Sequence, residues 1–251
     1  CLASVMMANN EIGVVQPLAE IAAECRRRGV LLHTDATQAV GKLPVDVRSL
    51  GVDLMSFTAH KLYGPKGVGA LYVRSRDPVV RLDPLVTGGG QEAGRRAGTL
   101  NVPGIVGFAA AVELCGAEMS SEAARLSEMR DALAAGLLRG VPGVEICGPS
   151  LGGDGPDAPI RLPGNLMVTF GDVDGEAIQL HCPGLAMSSG AACSSADAEP
   201  SHVLQAIGLS PDAARCSLRI GLGRFNTAAD IEAAIAGIAA AVARLRNRPA
   251  A

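Results

Sequence analysis

The chain has 251 residues, 48% of them hydrophobic and 19% charged, with four Phe, two Tyr, no Trp and a formal net charge of -3. That length supports a sizeable core in one large or two ordinary domains, and that composition excludes a disordered chain. The charge lacks the basic excess that binding to a phosphate backbone requires, which argues against a nucleic-acid partner.

In chain order, the β-prone apolar runs 3–8, 30–34 and 52–57 predict strands, and the amphipathic pattern of 17–28 predicts a helix between the first two. Strands separated by crossovers read as parallel βαβ units. A fourth run, 68–73, follows the turn at 63–67 closely enough to lie antiparallel to its predecessor. A glycine-rich loop at 88–98 precedes a helical stretch starting at Pro103 and a long helix over 121–138. The Gly, Pro and Asp of 148–159 predict a surface loop. Beyond it come a strand at 165–170, a helix at 175–181, a loop around Cys193, a strand at 217–221 and an alanine-rich helix at 227–246. This second half reads as a small α+β domain.

Residues 97–112, interrupted by Asn101, Pro103 and three glycines, are too broken for a membrane span, so no membrane association is expected. Seven cysteines (1, 25, 115, 147, 182, 193 and 216) are odd in number and show no Cys-x-x-Cys spacing. This argues against a disulfide framework and against a zinc or other metal site, and fits a reducing cytoplasm. The opening CLASVMMANN has no initiator methionine and no cleavable signal, and reads as a chain that starts within a domain.

Parallel strands gather ligands outside their carboxyl ends. Asn10, Asp35 and Lys61 each follow such an end, and are expected to converge on one crevice. Each has a plainer reading: a turn for Asn9 and Asn10, an N-cap of 36–40 for Asp35, a solvent-reaching side chain for Lys61. A lysine in a partly dry crevice becomes a nucleophile toward carbonyls, and a carboxylate can keep a pyridine nitrogen protonated. Lys61 with Asp35 therefore suggests pyridoxal phosphate. Thr58 and His60 offer donors for its phosphate.

Cys193 stands among Ser188, Ser189, Gly190, Ser194 and Ser195 with no apolar pattern to bury it, so reactivity explains it better than packing. Its plainer reading is a small residue in a tight turn. The other six cysteines sit in apolar contexts or at the chain end and read as inert. Arg219 interrupts an apolar run in "CSLRIGLGRFNT" and needs a carboxylate or phosphate partner, either a substrate or an ion pair between domains. Arg224 reads as its structural neighbour. The stretch 88–101 adds glycines and Thr99 for phosphate contact.

The stretches "MMANNEIGVVQP", "HTDATQAVGKLPVD", "SFTAHKLYGPKGVGALYV", "GGGQE" with "RAGTLNVPGIVG", "SSGAACSSADAEPSHVL" and "SLRIGLGRFNT" occur in one order across nearly the whole chain. In them the chain resembles the cysteine desulfurases, with the selenocysteine lyases as close relatives. The resemblance implies an α/β fold: the fold-type I pyridoxal-phosphate transferase fold. Residues 1–120 would be the C-terminal part of the cofactor-binding large domain, with its mostly parallel sheet. Residues 121–251 would be the small C-terminal domain with the cysteine loop. It implies further that Lys61 joins the cofactor, Asp35 pairs with the pyridine nitrogen, and Gln38 bonds the ring hydroxyl. Thr58 and His60 would hold the phosphate, and Thr99 would reach that of the neighbouring subunit in a homodimer. Asn10 would lie beside cofactor and substrate, and Arg219 would grip the carboxylate of L-cysteine. Lys61, His60 and Cys193 would form the catalytic centre, Cys193 taking the sulfur as a persulfide for an acceptor such as an iron–sulfur scaffold protein. Members of the family carry a further part of the large domain upstream, so the chain is expected to be the N-terminally shortened part of a longer enzyme. Rival readings are a selenocysteine lyase, a non-catalytic protein that binds a sulfur-transfer partner or caps a dimer, and another fold-type I enzyme such as an aminotransferase, which would leave Cys193 without a task.

Overall fold

A computed structural model describes residues 1–152, 160–189 and 200–247. Two compact units form. One comprises residues 1–8 and 16–119, and the other comprises 9–15 and 120–251.

The first unit is built on β1 (Leu2–Met6), α1 (Leu18–Arg27), β2 (Leu31–Asp35), α2 (Val47–Leu50), β3 (Leu54–Thr58) and β4 (Gly69–Val73). The sheet order is β1-β2-β3-β4, with the first three strands parallel and β4 antiparallel to β3. A helical crossover separates β1 from β2, as parallel pairing demands, whereas the short link after β3 permits only the antiparallel return. Alternation sets the faces: Leu32 and Thr34 are fully buried, while Leu2, Met6 and Leu71 stay exposed. Helix α1 buries Leu18 and Ala22 and stops at Gly29 (φ +65°), where Gly29 N donates to Arg26 O and Val30 N to Cys25 O at 3.1 and 2.9 Å. That pair of bonds satisfies carbonyls that a helix end leaves open.

The helical signals at 103 and 121–138 are one continuous helix, α3 (Val102–Gly140). Its first turns put Phe108, Ala111 and Cys115 against Ala59 and Leu62, and the Phe108 ring meets Phe57 edge-on at 5.6 Å. By length and composition alone α3 could cross a membrane, which corrects the expectation that no segment could. Several of its apolar side chains are core residues in this fold.

In the second unit, β5 (Glu145–Ile146), β6 (Asn165–Thr169), α4 (Gly175–Leu180), β7 (Ser188–Ser189), α5 (His202–Ala206), α6 (Pro211–Arg215), β8 (Ser217–Gly221) and α7 (Ala228–Arg246) follow in sequence. The antiparallel sheet runs β5-β6-β8-β7. Leu166, Val168, Phe170 and Leu218 face Leu133 and Leu137 of α3 and Ile238 and Val242 of α7 in its core. Helix α7 opens on a capping box between Thr227 and Asp230. The segment expected as a surface loop, 148–159, is described only in part.

Residues 9–15 join this second unit through backbone accounting. Asn9 Oδ1 accepts from Glu11 N and Ile12 N at 2.8 and 3.0 Å, closing a turn. Leu162 N donates to Gly13 O, and Val15 N to Ile160 O, both at 2.8 Å. Gly13 has φ +75°, and a Cβ there would lie 2.7 Å from Asn165 Oδ1, so both conformation and space demand glycine. The buried Arg161 donates from Nη2 to Ile12 O at 2.6 Å and from Nη1 to Cys147 O and Pro149 O. Burial, and then the nearby Arg130, pull its guanidinium down to about 10, and no carboxylate pairs with it among the described residues.

Candidate active site

In the first unit the polar set sits where strands end. Asp35 is the last residue of β2, in register with Met6 of β1 and Ser56 of β3. It is exposed, and its Oδ1 accepts from Thr37 N at 2.8 Å, so Asp35 does cap the following turns. Those turns are not a helix, and one carboxylate oxygen remains without a partner among the described residues. Gln38, in the same turns, accepts from Lys42 Nζ at 3.0 Å through Oε1, which leaves its amide N–H groups to donate.

Strand β3 runs into a 3-10 turn, Ala59–Lys61, whose tight winding alternates inward and outward residues. Ala59 and Leu62 are buried, while His60 and Lys61 point out. Lys61 is exposed, so the partly dry crevice expected around it is not formed by its own unit, and no described residue takes its Nζ. Thr58 Oγ1 lies 3.2 Å from Val68 O and 2.9 Å from His60 Nδ1. The hydroxyl has one proton for two acceptors, and when Nδ1 takes it His60 carries its own proton on Nε2, an N–H left to donate. Thr99 is exposed in the loop before α3, with its carbonyl accepting from Arg96 Nη1 at 3.4 Å.

Asn10 belongs to the second unit, in the 9–15 segment, rather than to the strand-end set. Its carbonyl accepts from Arg219 Nη1 at 2.9 Å, and Arg219 Nη2 donates to Ser188 Oγ at 3.2 Å. Arg219 is the middle residue of β8, in register with Ser188 of β7 and Met167 of β6. A guanidinium has five N–H donors. Two are occupied here, and no carboxylate meets Arg219 among the described residues. The ion-pair reading of Arg219 finds no partner there, and the remaining donors form an open fork. Arg224, by contrast, is consumed structurally: its Nε and Nη2 donate to Glu122 Oε2 at 2.9 and 2.8 Å.

Cys193 lies outside the described residues. Among the others, Cys115, Cys147 and Cys182 are buried. Burial pushes the Cys147 thiol up to about 11, and also raises Cys182 and Cys216, which keeps these thiols protonated and inert. Two contacts escaped the sequence reading: Ser188 under the Arg219 fork, and a hydrogen bond from Ser201 Oγ to Glu11 Oε2. The mid-strand arginine and the Ser-His start of α5 were their only local signals.

The donor set fits a phosphorylated pyridine aldehyde. Lys61 Nζ and one oxygen of Asp35, at or past the ends of adjacent parallel strands, have no partner among the described residues, and Thr58 with His60 offers donors beside them.

The family described as aminotransferase class-V matches residues 1–234. A curated cysteine desulfurase IscS from Anaeromyxobacter dehalogenans (strain 2CP-C) is 49% identical over 246 residues, covering 98% of this chain and 59% of its own. Solved structures match in fold, among them two NifS-like proteins. A NifS-like protein has TM-score 0.85 and 36% identity over 97% of this chain and 61% of its own. A NifS-like protein from Rickettsia africae ESF-5 has TM-score 0.83 and 31% identity over 96% and 61%. The chain thus spans about three fifths of the length of the relatives it matches, and the fold-type I expectation agrees with these neighbours.

Proposed function

The chain belongs to the class-V aminotransferase family, and we propose that it acts as a cysteine desulfurase, converting L-cysteine to L-alanine and passing the sulfur on. The open fork of Arg219 carries this reading. An arginine held by a carbonyl and a hydroxyl, with no anion on it among the described residues, is oriented for the bidentate capture of a carboxylate. Relatives named for the same activity support it.

In this reading Asp35 would hold a proton at the pyridine nitrogen, Gln38 would bond the ring hydroxyl, Thr58 and His60 would hold the phosphate of pyridoxal phosphate, and Lys61 would hold its aldehyde. Bound there, the group supplies an electron sink for the pair released from the substrate Cα. Lys61 would take the Cα proton of the substrate. Asn10 contacts cofactor and substrate, and Arg219 fixes the carboxylate. The Cys193 thiolate attacks the substrate sulfur: an S–S bond forms, the Cβ–S bond breaks with its electron pair left on carbon, and protonation there gives alanine. The persulfide sulfur passes to a thiol acceptor, in the cell a protein of iron–sulfur assembly. We place the two domains at residues 1–120 and 121–251, Thr99 at the phosphate of a second subunit, and the protein in a reducing cytoplasm, where the six described cysteines stay free.

With pyridoxal phosphate, L-cysteine and dithiothreitol, the protein is expected to absorb in the visible and to release alanine. Cys193→Ser should keep the absorption band and lose sulfide release. Alanine released at an unchanged rate by Cys193→Ser would overturn the nucleophile, and no alanine from the parent protein would overturn the activity.

A further inference from the structure

Within the second unit, one hydrogen-bonded path joins residues on either side of the stretch 190–199. It starts at Ser188, whose hydroxyl receives Arg219 Nη2 at 3.2 Å. Arg219 Nη1 continues it to Asn10 O at 2.9 Å. Asn10 leads covalently to Glu11, and Glu11 Oε2 accepts from Ser201 Oγ.

The chemistry at Ser201 makes the last link directional. Its oxygen accepts from Val203 N and Leu204 N, both at 3.2 Å, as the N-cap of α5. Both acceptor positions are thereby used, so the single hydroxyl proton points at Glu11. Ser201 is buried, which makes this bond costly to lose. Glu11 has no other side-chain partner among the described residues. Its own placement is over-determined, because its N–H is held by Asn9 Oδ1 at 2.8 Å and the next carbonyl, of Ile12, by Arg161 at 2.6 Å.

We propose that Glu11 and Ser188 are positioning residues of a clasp, Ser188–Arg219–Asn10–Glu11–Ser201, that ties both flanks of 190–199 to the arginine reserved for the substrate carboxylate. Neither touches the reacting atoms. The clasp transmits carboxylate occupancy at Arg219 to the chain on each side of the thiol: a carboxylate that takes the open fork re-aims a guanidinium already bonded to both halves of the path. It rests on the reading of Arg219 and Cys193 given above.

The test uses the full chain loaded with pyridoxal phosphate, and L-alanine as a carboxylate ligand without sulfur. The rate of Cys193 alkylation by iodoacetamide, read by mass spectrometry, is expected to change about threefold or more on alanine binding, the span of one ordinary hydrogen bond. Glu11→Ala and Ser188→Ala should bring that response close to unity while alanine still binds. Glu11→Gln should restore it, since the amide oxygen can take the Ser201 proton. A double variant of Glu11→Ala with Ser201→Ala should respond no less than Glu11→Ala alone, because both remove one link. Alanine responses in Glu11→Ala and Ser188→Ala equal to that of the parent, with alanine affinity lost in Arg219→Ala, would sink the clasp and spare the desulfurase reading. Parent-like alanine affinity in Arg219→Ala would sink both.

Discussion

The two sheets present polar side chains in opposite ways. In the first unit Asp35 and Thr58 are the last residues of β2 and β3, and His60 and Lys61 lie just past the end of β3, all of them exposed except the half-buried Thr58. In the second, Arg219 stands in the middle of an antiparallel strand, with bonded neighbours on both sides. A strand-end residue needs no partner to be tolerated, so its contacts say little about its role. A cation within a sheet must be satisfied, and a fork left open there points to a ligand.

The sharpest way to break that contrast is Lys61→Ala. Turnover of L-cysteine should fall by about 10²–10⁴-fold or more, the range of a lost acid–base group. Thermal unfolding should scarcely move, within about 0.5 kcal/mol, as for exposed positions lacking structural contacts. A matching loss of stability would show that the strand ends carry packing after all. Leu137→Ala tests the opposite side, since this residue is fully buried in the second core. It should cost about 2–5 kcal/mol in denaturant melts, measured by circular dichroism.

Arg219→Ala should do some of each. Losing charge-assisted bonds of about 1.5–3 kcal/mol, it should raise KM for L-cysteine roughly 10–100-fold and also loosen the 9–15 segment. Hydrogen exchange at Gly13 N and Leu162 N would report that loosening. Gly13→Ala, strained in conformation and crowded against Asn165, should destabilise by about 1 kcal/mol or more in the same melts without touching the first sheet.

The smallest effect concerns pH. Burial raises the Cys147 thiol from 9.0 to about 11 in the folded chain, so the folded state binds the proton more tightly than the unfolded one. The associated stability is complete below pH 9 and fades as pH climbs from about 9 to about 11. Cys147→Ala should flatten that part of the pH–stability curve. An unchanged slope would show that the thiol is less shielded than its burial indicates.

Much of the fold was legible in the residues. The strand runs, the amphipathic α1 and the capped α7 emerged nearly in place, because alternation and the 3.6-residue period record which face meets the core. Short elements such as β5, β7 and α6 left no such record. The helical stretch from Pro103 and the pattern over 121–138 run as one helix, and Pro103 falls in the first turn of α3, where a helix tolerates it.

What local residues determined by themselves was the chemistry on offer: an amine and a carboxylate past successive strands, an arginine without an obvious mate, a thiol among small residues. Tertiary structure alone decided how those groups are held. It assigned Asn10 to the second unit, closed Arg224 onto Glu122 while leaving Arg219 without a carboxylate among the described residues, and linked Glu11 with Ser201 across most of the sequence. Hydrogen-bond satisfaction is settled between residues far apart in the chain, so no short motif can announce which polar group will be spent on the fold and which will be left free to bind.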